Sequence, residues 1–336
     1  MKIYYFKDPV GNFGDDLNAW LWDSLLPGFF DEDDSTRVSG IGTIINTSMP
    51  QAKKWVVFSS GVGYGHPPKN FGDSNWDILC VRGPLSAKVL GLDPSKAVTD
   101  GAALLNTLEE FKPLPEKERS GVIFIPHHHA LQSGQWESVC NLAGIEFVNP
   151  QWDSKVVIQK IRHAKLVIAD AMHAAIIADA MRVPWIPVIT SPQINTFKWL
   201  DWTQTINLQY SPEILGASSF RESIRSKTLS LYGEHYFIES LSPEDCLSDF
   251  YKKRNIKSKV WWRNYKIMTE KMVFSLPNKL LCNTFIDNNF NKKFIDSTVN
   301  KLISLKSRDG VLSEDQYFNR NVERLIACKD ILQKLK

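Results

Sequence analysis

The sequence lacks any long apolar segment. Among its 336 residues there is no window of about 18 uncharged apolar residues, roughly what a membrane-spanning helix needs. Charged residues and glycine also interrupt the amino-terminal stretch KIYYFKDPVGNFGDD, which argues against an ordinary secretory signal peptide. We therefore expect a protein that is neither secreted nor membrane-spanning.

Paired cysteines are missing as well. The cysteines are odd in number and scattered, and they never have the spacing of a zinc knuckle or a redox pair. They favour reduced thiols in a cytoplasmic compartment over disulfide bonds, and no structural metal is predicted. The five cysteines are Cys80, Cys140, Cys246, Cys282 and Cys328.

Neither sign of charge dominates the whole chain. With 23% charged residues, 43% hydrophobic residues and a formal net charge of +3, the composition is typical of a globular protein and excludes a disordered or fibrous one. The balance is nevertheless uneven, because residues 251–336 hold 19 Lys or Arg against 8 Asp or Glu. A basic tail therefore follows a mildly acidic body.

Short apolar runs alternate with helical patterns as far as Pro192. This rhythm predicts an α/β fold with two doubly wound, Rossmann-like units and a cleft between them. The charged, proline-containing stretch Glu109–Gly121 has the composition of a linker. We predict a first domain over residues 1–115, a second over 116–230 and a helical basic extension over 231–336.

Polar residues follow the predicted strands of the first half, where open α/β sheets bind ligands. Asn12, Asp15 and Asp16 come after KIYYF; helix capping explains an Asp there, but Asn12 and Asp16 are not required for a cap. Arg82 follows DILCV beside a helix amino end, where it could clamp an anion or form a surface salt bridge. Asp100 ends the predicted strand KAVTD.

Two G-x-G turns, Gly40–Gly42 and Gly61–Gly63, would let the backbone approach a ligand closely. Neither is the full six-residue dinucleotide fingerprint, so they are weak evidence for NAD or FAD. Gly61 is kept as a candidate binding residue, and no dinucleotide cofactor is predicted.

Histidines follow two predicted strands of the second half. GVIFIP leads into His127, His128 and His129, and KLVIAD leads into AMHAA, which contains His173. Three consecutive residues do not easily bind one ion, and no HExxH-type partner accompanies them, so no metal is predicted. His173 lies in the first turn of an alanine-rich helix; a structural role is the alternative, but the position favours function.

Several blocks follow one another in a recognisable order: GNFGDDLN, VSGIGT, VRGPLSAKVLGL, VTDGAALL, IPHHH, ADAMHAAIIADAMRVPWIPV and FKWLDW. In this order and spacing they resemble the polysaccharide pyruvyl transferase family, in particular its branch for bacterial exopolysaccharide and succinoglycan pyruvylation. The resemblance covers residues 1–205, and the tail adds nothing to it.

The resemblance implies a two-domain fold similar to GT-B glycosyltransferases, and transfer of the pyruvyl group of phosphoenolpyruvate to two hydroxyls of one sugar. No further cofactor is implied. His173 matches the family's histidine and would be the general acid that protonates the donor. Arg82 and Lys198, with the helix amino end at Met172, would hold the donor's carboxylate and phosphate.

The saccharide acceptor, free or lipid-linked, would be bound by His127, His128, Asp16 and Asn12. One position departs from the family pattern. Several pyruvyl transferases have an arginine two residues before the histidine, whereas this chain has Ala171. Either Lys198, Arg82 or Arg162 supplies the positive charge that binds the donor, or this protein uses a different donor substrate.

The segment KSKVWWRNYKIMTEKMVF, residues 257–274, mixes cations with aromatic and methionine residues. It is a candidate contact with an anionic membrane surface at the inner face of the membrane, where a lipid-linked acceptor would lie. The alternative is a helix that packs over the first domain. The tail is expected to serve docking or acceptor delivery, and nucleic acid is disfavoured because the carboxylates at the strand exits would repel phosphates.

Two other functions share this architecture. One is a GT-B-type glycosyltransferase that uses a nucleotide sugar, whose pocket would saturate with UDP or GDP and ignore phosphoenolpyruvate. The other is a non-catalytic saccharide-binding subunit, which would release no phosphate. Ala171, the departure from the family pattern, is the reason to consider it.

Overall fold

Two parallel β-sheets form the framework of the protein. The computed structural model describes residues 1–272 and 284–336. The strands of the first sheet are β1 (Lys2–Tyr4), β2 (Thr36–Ser39), β3 (Lys54–Phe58) and β4 (Trp76–Cys80). They lie side by side in chain order, and every pairing is parallel.

In the second sheet the order in which strands are added reverses. Its strands are β5 (Val122–Ile125), β6 (Glu146–Phe147), β7 (Leu166–Ala169), β8 (Trp185–Ile189) and β9 (Glu213–Ile214). They are ordered β6-β5-β7-β8-β9, all parallel, so the chain first adds a strand on one side of β5 and then builds on the other. Such a reversal opens a crevice beyond the carboxyl ends of β5 and β7.

Helices cover these sheets and form the carboxy-terminal part, which confirms the predicted α/β fold with a helical tail. None of the described helices is both long and apolar enough to cross a membrane. The helices are α1 (Phe13–Asp16), α2 (Leu21–Leu25), α3 (Pro84–Leu90), α4 (Trp136–Ala143), α5 (Ser154–His163), α6 (Met172–Ala180), α7 (Thr196–Thr203), α8 (Phe220–Thr228), α9 (Pro243–Lys257), α10 (Val260–Glu270), α11 (Thr284–Lys306) and α12 (Asp315–Gln333).

Two predicted elements differ from the structure. The apolar spacing from Asp15 to Leu26 predicts a single helix. The structure instead has α1, a 3₁₀ turn and α2, because the buried side chain of Asn18 bonds the backbone of Asp15 and Ile41. The expected strand KAVTD contributes only a bridge between Ala97 and Val81.

The carboxy-terminal part is built into both hydrophobic cores. Phe250 of α9 stacks on Phe197 of α7, with 5.0 Å between ring centroids. Leu302 and Leu305 of α11 pack into the core beside α4. Helix α12 packs against β4 of the first sheet, so this part does more than deliver an acceptor. The domain boundaries near residues 115 and 230 stay predictions.

The described cysteines, Cys80, Cys140, Cys246 and Cys328, are free thiols. Cys282 lies outside the described residues, as do Val273 and Phe274 at the end of the basic aromatic segment.

The packing of α12 gives a stability prediction. Leu325 of this helix is fully buried, whereas Ile331 on the same helix is 49% exposed. We expect Leu325→Ala to lower the free energy of unfolding by about 2–5 kcal/mol, because it leaves a cavity in the core. Ile331→Ala is the matched control and should change it by less than about 0.5 kcal/mol. Urea denaturation measures both; equal effects would show that α12 is not part of the cooperative core.

Candidate active site

A cavity of about 450 Å³ lies between the two sheets. It opens beyond the carboxyl ends of β5 and β7, where the strand order of the second sheet reverses. Residues that follow β1 and β2 in the first sheet form the opposite wall. Of the predicted site residues, the cavity lining as a whole contains Asn12, Asp15, His127, His128, Met172, His173 and Lys198.

Asp170, which is not among the residues predicted from the sequence, holds three strand exits together. Its carboxylate accepts hydrogen bonds from the His127 amide at 2.8 Å after β5, and from the Thr190 amide at 3.0 Å and hydroxyl at 2.8 Å after β8. Burial raises the pKa of Asp170 to about 6 even though these donors oppose the shift. The residue itself follows β7, so one side chain fixes the floor of the cavity.

The three consecutive histidines cluster at the same floor, with ring centroids 4.1 to 5.1 Å apart. Burial and the neighbouring Lys198 and Arg225 lower their pKa values: His127 well below its ordinary value, His128 to about 4 and His129 to about 3. These imidazoles are therefore neutral at pH 7 and can both donate and accept hydrogen bonds.

The same cluster is the one group of possible metal ligands in the described part of the chain. Its ligand atoms lie within 4.8 Å of one another. However, the positive charges of Lys198 and Arg225 act on all three rings and would oppose a cation. The arrangement therefore fits hydroxyl recognition better than metal binding.

His173 is held against the first sheet by a glycine. A Cβ at Gly14 would lie 2.0 Å from His173 Nδ1, so no residue with a side chain fits there without movement. On the other side, His173 Nε2 lies 3.8 Å from Asp100 Oδ2. Neither atom has a hydrogen-bond partner among the described residues. Burial would raise the pKa of Asp100, but His173, the Ala102 amide and the charge of Arg82 together outweigh this and lower it.

The amino end of α6 is open towards the cavity. Its cap residue, Ala171, has no side chain that could accept a hydrogen bond from the first-turn amides. Ala171, Met172 and His173 all line the cavity. Exposed amides at a helix amino terminus attract anions.

Asp15, Asn12 and Asp16 have separate roles. Burial raises the pKa of Asp15 to about 6, although His173 and Lys198 oppose the shift. Asn12 caps α1 by accepting a hydrogen bond from the Gly14 amide at 3.3 Å and also donates to Asp15 at 2.7 Å. Asp16 accepts from the Asn12 amide at 3.0 Å and does not line the cavity. The prediction that a cap does not require Asn12 and Asp16 is wrong, because Asn12 is the cap residue and its backbone N–H bonds Asp16.

Arg82 is not an open anion clamp. Its side chain is completely buried, and its guanidinium donates to Asp201 at 3.0 Å, Thr43 at 2.8 Å and the Val62 carbonyl at 3.0 Å. A buried guanidinium must find its hydrogen-bond partners inside the protein, and Arg82 does not line the cavity. Gly61 makes room for it, since a Cβ there would lie 2.5 Å from Arg82 Cζ. Both residues therefore have structural roles.

Lys198 supplies the positive charge of the cavity. It lies in the first turn of α7, and its Nζ is 5.4 Å from the centre of the Tyr64 ring. Asn195, the cap residue of α7, donates to the carbonyl of Gly63 at 3.1 Å and so joins α7 to the first half. Lys198 is therefore held in the cavity lining, close enough to the histidine cluster to act on its charge.

Asp201 is a further residue that the sequence analysis missed. It accepts from the Ser86 amide at 2.8 Å and hydroxyl at 2.6 Å besides Arg82. The signal was available, because Asp201 sits within the FKWLDW block among aromatic residues, where a carboxylate needs a buried partner.

Comparison with known proteins identifies the family of this chain. The family model for polysaccharide pyruvyl transferase matches residues 51–192, which include both histidine-bearing strand exits. The chain is 40% identical over 246 residues to the succinoglycan biosynthesis protein ExoV of Rhizobium meliloti (strain 1021), and the match covers 73% of this chain and 77% of that protein. No solved structure matches the chain significantly.

An identity of 40% over most of both chains is far above chance, and the family match falls on the segment that forms the floor of the cavity. The chain therefore belongs to the polysaccharide pyruvyl transferase family and is a transferase.

Proposed function

We propose that this protein transfers the pyruvyl group of phosphoenolpyruvate to one sugar of an exopolysaccharide, or of its lipid-linked precursor, and closes it into a ketal. Two sugar hydroxyls form bonds to C2 of the donor while the bond from C2 to the phosphate oxygen breaks. One hydroxyl proton goes to the methylene carbon, which becomes a methyl group, and the other leaves with inorganic phosphate. Phosphoenolpyruvate is the donor substrate, and no cofactor is needed.

The observation that carries the proposal is the position of His173. This residue lines the cavity at the open amino end of α6, with Asp15 and Lys198 in the same wall. Addition to an enol donor begins with protonation of its methylene carbon, so one general acid near a bound anion is the main requirement. Asp100 Oδ2 lies 3.8 Å from His173 Nε2, so a buried carboxylate would help to hold the ring in place.

Donor binding would rest on Lys198 and the amides of α6. By the family resemblance, several pyruvyl transferases have arginine where this chain has Ala171, and the other two candidate cations do not compensate. Arg82 is buried against Asp201, and Arg162 donates to the carbonyl of Lys112 at 2.7 Å without lining the cavity. The three negative charges of the donor would therefore face one lysine and one helix terminus.

Acceptor binding would use other residues of the cavity lining. Neutral His127 and His128 can accept hydrogen bonds from sugar hydroxyls, and Asp15 can accept a hydroxyl proton once it is ionised. This division leaves His173 between a donor site and an acceptor site.

The decisive experiment measures phosphate release from phosphoenolpyruvate together with ketal formation on oligosaccharide acceptors, followed by NMR of the product. We expect activity in the parent protein and a loss of about 100- to 10,000-fold in His173→Ala, because a general acid contributes that much. Undiminished turnover in His173→Ala would refute the assigned acid. Saturable UDP or GDP binding without phosphate release would instead indicate a nucleotide-sugar glycosyltransferase.

Lys198→Met tests the donor site. Loss of one charged hydrogen bond costs about 1.5–3 kcal/mol, so KM for phosphoenolpyruvate should rise about 10- to 150-fold. KM for the acceptor should change little, and the thermal midpoint should stay the same. Lys88→Met, on the exposed side of α3, is the matched control. A larger effect on acceptor KM than on donor KM would contradict this role.

Asp15 gives a pH prediction. Because its pKa lies near 6, the carboxyl is protonated below that pH and cannot serve as a base. We expect kcat/KM to rise with pH through about 6, by about tenfold per pH unit on the acid side. Asp15→Asn should abolish this limb, whereas Asp23→Asn on the exposed side of α2 should keep it. A limb that persists in Asp15→Asn but shifts in Asp170→Asn would assign the titration to Asp170.

A further inference from the structure

Helix α10 exposes large apolar side chains to solvent. The exposed fractions are 89% for Val260, 59% for Trp261, 57% for Ile267, 55% for Met268 and 60% for Met272, which follows the helix. We call these five side chains the α10 face. Soluble proteins rarely concentrate apolar exposure in this way unless the surface contacts a partner or a membrane.

The opposite side of α10 is firmly packed, so the exposure does not come from a detached helix. Trp262 lies against Gly233, where a Cβ would be 2.6 Å from its ring. Lys266 Nζ bonds Glu234 Oε1 at 2.8 Å. The half-buried residues 262, 265, 266 and 269 share one side of the helix, which directs the α10 face outward.

Basic residues surround the α10 face. Lys259, Arg263 and Lys271 are exposed, and residues 251–272 contain eight Lys or Arg and one acidic residue. Apolar side chains together with lysine and arginine on one helix surface match the interface of an anionic bilayer. A protein partner would have to present acidic and apolar groups in the same pattern.

The α10 face lies beside the cavity. Glu234, which bonds Lys266, lines the cavity, and so does Tyr236, whose hydroxyl accepts from Lys257 at 2.6 Å. Glu234, which anchors α10 on its inner side, therefore belongs to the cavity wall, and so does Tyr236, which bonds the last residue of α9 just before α10. A membrane in contact with α10 would lie close to the cavity.

We propose that the α10 face docks on an anionic membrane surface and thereby presents the cavity to an acceptor carried on lipid. The lipid-linked nature of the acceptor rests on the proposed function; the docking surface itself does not. Docking is reversible, because one helix face with a few cations gives moderate affinity.

The test is sedimentation of the full-length protein with vesicles of phosphatidylglycerol and phosphatidylcholine, compared with vesicles of phosphatidylcholine alone. We expect binding to the anionic vesicles and at least about fivefold less to the neutral ones. Lys259→Glu with Arg263→Glu should lower the partition coefficient at least about 25-fold. Trp261→Ser with Met268→Ser should lower it at least about tenfold.

Matched controls change the same residue types elsewhere. Lys88→Glu with Lys117→Glu removes two exposed lysines of the first half, and Ile303→Ser with Ile331→Ser removes two exposed isoleucines of α11 and α12. Both should sediment like the parent, and the α10 variants should keep full activity on a water-soluble acceptor.

Three results would overturn the proposal: a parent protein that stays in the supernatant with anionic vesicles, controls that lose as much binding as the α10 variants, or a dimer that Trp261→Ser dissociates without any vesicle binding. Light scattering detects the last of these. Sedimentation needs no turnover, so a failure of docking and a failure of pyruvyl transfer are separate outcomes.

Discussion

The buried ion pair between Arg82 and Asp201 joins the two halves of the chain. Charges in a protein interior cost several kcal/mol each unless their hydrogen-bonding groups are satisfied. Here Arg82 also bonds Thr43 and Val62, and Asp201 also bonds Ser86. Asp201 lies on α7, the helix whose first turn holds Lys198. The position of the cavity's lysine is therefore fixed by an interaction that lies outside the cavity.

Asp170 plays the corresponding part on the second sheet. Parallel strands bring their carboxyl ends to one edge, but their loops would still be free to vary. One buried carboxylate that bonds the backbone after β5 and after β8 removes that freedom. The histidine cluster and the open amino end of α6 are thereby held in a fixed relation. Burial rather than a nearby charge sets the raised pKa of this group.

The sequence predicted the kind of fold and the edge at which the cavity lies, because hydrophobic periodicity and the residues after strands are local properties. It placed Asn12, Asp15, His127, His128, His173 and Lys198 in the candidate site, and all of them line the cavity. The same local logic failed for Arg82. An arginine after a strand is equally suited to a ligand or to a buried carboxylate, and the partner, Asp201, is 119 positions away.

Local patterns also could not show what the tail does. Its basic charge and its separation from the motifs suggested an accessory, but α11 and α12 contribute to the two cores. Charged residues and buried apolar residues lie on different faces of the same helices, and the composition of a segment does not distinguish these faces. For α10, composition therefore could not show that one exposed surface carries apolar and basic side chains together.

Gly14 illustrates a constraint that has no chemistry of its own. Its missing side chain is what allows the His173 ring to lie directly against the backbone of the first half. Any side chain at position 14 would clash with the His173 ring, whatever its chemical nature. In a survey of tolerated substitutions it would look as intolerant as a catalytic residue, although it neither binds nor transfers anything.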